Sequence, residues 1–130
     1  MQDILVPISP GELLDKITIL RIKLARMSDA VKLANVRHEL QLLERSWSNS
    51  IPPGVDLRGE ERELEAVNGR LWDVEDRLRD LEAEKRFDAS FTELARAVYF
   101  NNDERAAIKK RINSKLGSAL VEEKSYRPYT

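Results

Sequence analysis

Asp15 and Lys16 stand near the start of the first helical pattern, where the free N–H groups of a helix end favour anions. Asn68 and Glu75 sit one position off a long apolar stripe. Asp76 follows directly, and Arg79 lies four residues beyond Glu75, within ion-pair reach on the same helix face. Farther on, Arg96, Tyr99, Asn102, Asp103, Arg105, Lys109 and Asn113 recur at helical intervals. Carboxylates and cations spaced in this way could converge between helices as a polar pocket for a small anionic ligand. The same residues could serve as interhelical salt bridges and hydrogen bonds that fix the register of a bundle. That bridging role is the expected one, with the pocket as the alternative.

Enzyme templates fit these residues poorly. Helical nucleotide pyrophosphatases hold Mg²⁺ with two acidic pairs on adjacent helices, because a hard cation takes several oxygens. Here Glu60/Glu63 and Asp73/Asp76 have the pair spacing but fall on one continuous helical pattern. Leu13-Leu14-Asp15-Lys16 with Arg21 faintly matches the first helix of a chorismate-mutase-like fold, without the rest of its basic residues. No Ser/His/Asp set, glycine-rich phosphate loop or HExxH is present. The single histidine, His38, lies off its helix's apolar stripe and reads as a solvated surface residue, so no metal site is expected. Lys109-Lys110-Arg111 would suit phosphate or RNA. Three consecutive helical residues point in different directions, however, and no aromatic platform accompanies them.

The elements that must position these side chains are helices. Leu64, Val67, Leu71, Val74, Leu78 and Leu81 alternate three and four apart, drawing one stripe along a helix of about 40 Å from about Glu60 to about Arg86. That helix is expected to be the central one, against which the others pack. Ser9-Pro10-Gly11-Glu12 reads as a capping box opening a first helix over Leu13, Ile17, Leu20, Leu24 and Met27. Gly11 weakens that first turn or lets something approach its backbone. After Ser28-Asp29-Ala30, the residues Leu33, Val36, Leu40, Leu43 and Trp47 carry a second helix, and so short a connection predicts an N-terminal helical hairpin. Asp88 caps a fourth helix over Phe91, Leu94, Ala95 and Val98. Asn101 with Glu104 offers a second capping box, so a kink or a fifth helix is expected there, ending at Gly117. The fold expected is an all-α bundle of four to five helices in a single domain, 1–130. Its tail, 118–130, is expected to lie over the bundle or to pair with Ile4-Leu5-Val6.

With 35% charged residues, no cysteine and a net charge of −1, composition suits a helical chain in the cytoplasm and argues against bulk nucleic-acid binding. No apolar run reaches membrane-spanning length. Charge is uneven: residues 51–88 hold 12 Asp/Glu against 7 Lys/Arg, whereas residues 89–130 hold 5 against 8. An acidic helix and a basic one in so small a protein are expected to neutralise each other.

The blocks "ILVPISPGELLDKITIL", "KLANVRHEL", "VNGRLWDVEDRLRDLE", "FDASFTELARAVYFNNDERAAIKKRIN" and "VEEKSY" together resemble an uncharacterised bacterial family of all-α proteins of about this length. The LW-x-x-ED segment (Leu71, Trp72, Glu75, Asp76), with Asn102 and Arg105 later, is also similar to a second family of unknown function. The resemblance implies a bacterial, stand-alone helical domain, some of whose relatives lie in surface-polysaccharide gene neighbourhoods. It leaves the cofactor unknown and carries over no catalytic residue. The functional expectation is a non-enzymatic binding or assembly module, working as a homodimer, with a protein partner or a small anionic ligand and with no nucleic acid or membrane. The alternative is a small metal- or phosphate-handling enzyme acting on a nucleotide or sugar nucleotide through Glu75, Asp76, Arg96, Arg105 and Lys109.

Overall fold

Ser9 begins the first helix. Its Oγ accepts the Glu12 N–H at 3.2 Å, and Pro10 fills the first turn, where its missing N–H costs nothing. In the computed structural model, which describes residues 1–129, four helices follow: α1 (Pro10–Arg26), α2 (Ala30–Ser50), α3 (Arg58–Ala83) and α4 (Ala89–Lys115). No strand forms among the described residues. Asp29 caps α2 through the Lys32 N–H at 3.0 Å, and Asp88 caps α4 through Ser90 and Phe91. Gly117, at φ 62°, ends α4 in the left-handed region that glycine enters without strain. The capping box at Ser9 is only half made, because the Glu12 carboxylate turns to Lys109 instead of back to the helix start.

The element touched by every other is α1, not the long α3. Helix α1 packs against α2, α3 and α4; α3 packs against α1 and α4; and α2 packs on α1 alone. The reason lies in the face widths. α1 buries Leu13, Leu14, Ile17, Thr18, Leu20 and Ile22, too broad an arc for one neighbour, whereas α2 buries only Val36 and Leu40. Two cores result. One gathers Leu14, Leu57, Leu64, Val67, Ile108 and Ile112, and the other joins Leu13, Ile17 and Leu20 to Val36 and Leu40. Trp47 packs against both, and both tryptophans are half-buried packing residues.

The expected break at Asn101 does not occur: α4 is one helix of 27 residues, so four helices form and not five. Asn101 does not cap. Its Nδ2 donates to the Ala97 carbonyl at 2.8 Å within the running helix, and its Oδ1 accepts from Arg70 Nε at 3.0 Å on α3. The unbroken α4 therefore runs antiparallel along the whole of α3, and the acidic and basic helices neutralise each other across the seam. Lys115 meets Glu60 at 2.5 Å, Arg111 meets Glu63, and Arg70 meets Glu104 at 2.8 Å. Glu60 is buried, and the Lys115 ammonium holds its carboxyl below the usual range.

Outside the helices, residues 1–8 form an extended arm and residues 116–129 a tail; residue 130 of the expected tail lies outside the described residues. The tail lies over α4 and does not pair with Ile4-Leu5-Val6. None of the described helices is long and apolar enough to cross a membrane.

Candidate functional site

The polar cluster is built where α1 and α4 come closest. A Cβ on Gly11 would stand 2.5 Å from the Lys109 carbonyl, so only glycine admits this approach, and the Gly11 N–H donates to Asn113 Oδ1 at 2.7 Å. One turn along α1, Asp15 is wholly buried. Arg105 of α4 grips it through two bonds, Nε to Oδ1 at 2.9 Å and Nη2 to Oδ2 at 2.5 Å. From α3, Asn68 Nδ2 donates to the same Oδ1 at 2.9 Å and to Thr18 Oγ at 3.1 Å, while Thr18 donates to the Asp15 carbonyl at 2.8 Å. Three helices are thus clasped around one carboxylate. The bidentate geometry suits a guanidinium and not an ammonium. The Asp15 hydrogen bonds hold Arg105 above its ordinary pKa, against the opposing effect of burial. Every fully buried side-chain nitrogen and oxygen among the described residues has a partner.

Toward solvent the cluster opens into a cleft of about 320 Å³ between α4 and the tail. Lys109, its side chain 11% exposed, sits between Glu12 of α1 at 2.6 Å and Glu122 of the tail at 3.2 Å. Glu122 also holds Lys124 at 2.7 Å, and Lys124 lies over the Tyr126 ring. Lys124 and then Lys109 keep the Glu122 carboxyl below its usual range. Farther along, Tyr129 donates to Asp103 and packs against Tyr99 and Phe100, with ring centroids 5.3 and 5.0 Å away. Asp103 holds the Tyr129 phenol above its usual pKa.

Of the residues singled out by spacing, Asp15, Asn68 and Arg105 form the clasp, and Lys109 joins them one turn on. Asn102 and Asp103 line the cleft, and Tyr99 lines its extension of about 530 Å³ beneath the tail. Lys16 points away, exposed, with Glu12 at 3.9 Å. Arg96 lies over Phe100, itself exposed. Glu75 pairs with Arg79 at 3.5 Å on its own helix, and Asp76 is exposed. The seam explains this separation. Ten residues along α3, from Glu60 to Arg70, are matched by eleven back along α4, from Lys115 to Glu104. Glu75 therefore falls at the level of Tyr99, about one and a half turns from Arg105. The carboxylates that Arg105 and Lys109 meet are Asp15, Glu12 and Glu122. No group of three or more His, Asp or Glu side chains able to hold a metal comes together among the described residues.

Spacing missed Glu12, Thr18, Glu122, Lys124 and Tyr126. Thr18 had a signal, three residues after Asp15 on the same face; Glu122, in a tail without periodicity, had none. The comparisons agree with so sparse a set of motifs: neither the curated proteins nor the solved structures contain a match to this chain. Residues 4–129, which take in the arm, the four helices and the tail, match one family model, and the chain belongs to the family of unknown function DUF6165.

Proposed function

We propose that this chain is a non-enzymatic assembly module that works as a homodimer, joined through its N-terminal arms. One observation carries the reading. Ile4, Leu5 and Val6 are 78, 91 and 65% exposed on a segment outside any helix that makes no backbone–backbone hydrogen bond among the described residues. β-Favouring, unpaired and apolar, such a segment needs a cover. The arm borders a groove of about 620 Å³ whose apolar walls include Leu13, Leu43, Ile51, Pro52 and Leu116. Its own residues already fit one side of that groove. A second copy's arm therefore supplies matching chemistry, and reciprocal exchange of identical segments is a low-cost route to a twofold dimer.

The polar cluster supports the non-enzymatic part. The buried Asp15 and the partly exposed Arg105 are committed to each other, and the residues an enzyme reading would need are split between two levels of the α3–α4 seam. Because α4 runs along α3, the arm and not the long helix is the open surface. Light scattering tests the reading. The full chain is expected to be a dimer at micromolar concentration, and Leu5→Asp with Val6→Asp is expected to give a folded monomer whose Tm no longer depends on concentration. A wild-type monomer at high micromolar concentration would overturn it.

A further inference from the structure

The tail crosses α4 as a strap with two clips. Among the described residues it makes no backbone–backbone hydrogen bond to the bundle beyond Ser118, whose N–H reaches Asn113. What holds it are side chains: Glu122 on Lys109 near one end, and Tyr129 on Asp103, Tyr99 and Phe100 near the other. The Glu122 side chain remains 43% exposed, whereas the Lys109 ammonium beneath it is nearly enclosed. A buried cation needs a permanent counter-charge, and Glu12, fixed on α1 at 2.6 Å, supplies it. Glu122 is thus a second, exchangeable anion on the same ammonium. It divides two adjoining clefts, of about 320 and 200 Å³, which share Ala106, Lys109, Glu122 and Lys124.

We propose that Lys109 and Lys124, with the Tyr126 ring beside them, form a binding site for the anionic group of a small molecule, a phosphate monoester or a carboxylate, and that Glu122 occupies this site until the ligand displaces it. The inner clasp is not part of the exchange, because Arg105 is already spent on Asp15. When Glu122 leaves, Lys124 loses its 2.7 Å partner, so two ammonium groups face the cleft. A phosphate offers three acceptor oxygens to them where the carboxylate offers two. Tyr126 and, farther along, Tyr99 give an aromatic wall for whatever carries the anion. Ligand binding and loss of the Glu122 clip become one event, while the Tyr129 clip keeps Lys124 and Tyr126 over the cleft. The apparent affinity of the wild type is then lowered by the fraction of molecules in which Glu122 occupies the site.

The experiment titrates the full-length protein with inorganic phosphate and, separately, with succinate, followed by NMR of the backbone amides and by calorimetry. Glu122→Gln is expected to lower the Kd for at least one probe about tenfold relative to wild type. Glu123→Gln, which removes the same charge one residue away, is expected to change it less than twofold. Lys124→Gln added to Glu122→Gln is expected to abolish the gain, and this exposed position leaves the core untouched. In the wild type, saturation is expected to move the Val121 to Lys124 amides and to leave those around Tyr129 in place. Phosphate alone gaining affinity assigns the site to phosphate esters, and succinate alone assigns it to carboxylates. Equal gains from Glu122→Gln and Glu123→Gln, or no gain from either, would overturn the proposal.

Discussion

The two ends of the α3–α4 pair carry the same apolar spacing and live in different environments. Toward the start of α3, Leu64 and Val67 are wholly excluded from solvent, because α1 lies across the seam as a third helix. Farther along, Leu71, Val74 and Leu78 are only half-buried, since α1 has 17 residues against 26 and 27 for its neighbours, and only Leu81, beside the turn into α4, is wholly buried again. The ion pairs divide in the same way. At the α1 end the Asp15 carboxylate is wholly buried beneath a partly exposed Arg105, whereas Glu75 and Arg79 pair on one exposed helix face. A stripe in the sequence reports which face of a helix is apolar. How deep that face lies depends on what else reaches it, a third helix at Leu64 and Val67 and the turn into α4 at Leu81.

The largest effect expected follows from the clasp. Arg105→Ala leaves the Asp15 carboxylate buried with Asn68 as its only remaining side-chain donor, and should cost about 3–5 kcal/mol, as breaking one side of a buried pair does. Replacing both partners, with Asp15→Leu and Arg105→Met, should cost less than the single change, since no charge is then stranded. Denaturant melts decide this. A single variant within about 1 kcal/mol of wild type would show that water reaches Asp15.

Next in size is the direct comparison of the two ends. Leu64→Ala removes a fully buried side chain where three helices meet and should cost about 2–5 kcal/mol. Leu78→Ala removes one that water already touches and should cost about 1 kcal/mol. Equal losses in the same melts would mean that the far end is as enclosed as the near one.

How much of this was legible in the sequence follows the same division. The helices themselves could be read, because Ser9, Asp29, Asp88 and Gly117 mark ends and the apolar residues keep their period. The continuity of α4 could not. Asn101 and Glu104 have the spacing of a capping box, and only their bonds to Arg70 across the seam turn them to another use. The members of the clasp, Asp15, Asn68 and Arg105, could be picked out by type and spacing. Their pairing could not, because Asp15 lies 53 residues from Asn68 and 90 from Arg105 and only tertiary packing brings α1 over α4. Gly11 was the clue to that packing, a residue poor in helices placed where another backbone comes close.

The strap should respond to pH at both clips, with little effect on the bundle. Glu122 faces Lys124 from the tail, Lys109 and Arg105 from α4, and Glu12 of α1 beyond Lys109. Its carboxyl lies below the ordinary 4.5, so its contribution is complete above that value and is lost as pH falls through the lowered one. Tyr129 lies above the ordinary 10.0, so its bond to Asp103 persists below that value and is lost as pH rises through the raised one. Amide signals of residues 121–129 should hold one position between these limits and move outside them, while those of α1 stay fixed. Tail signals that ignore the acid limb would show that Glu122 does not fasten the strap.

The smallest effect expected belongs to the far end. Glu75 and Arg79 carry side chains 47 and 74% exposed, joined at 3.5 Å in an i,i+4 pair. Such pairs contribute about 0.3–0.5 kcal/mol, and screening by salt removes part of that. Arg79→Ala should therefore shift the melting midpoint barely beyond error, and should do so less in high salt. A loss above about 1 kcal/mol would be informative in a particular way, because no contact within the chain can supply it. It would mean that something else covers this end in solution. Since dimerisation through the arms leaves the α3–α4 tip open, the arm variants Leu5→Asp and Val6→Asp should not reduce that loss. If they did, the tip and the arm would belong to one interface, and the division between a covered end and an open one would hold only for the isolated chain.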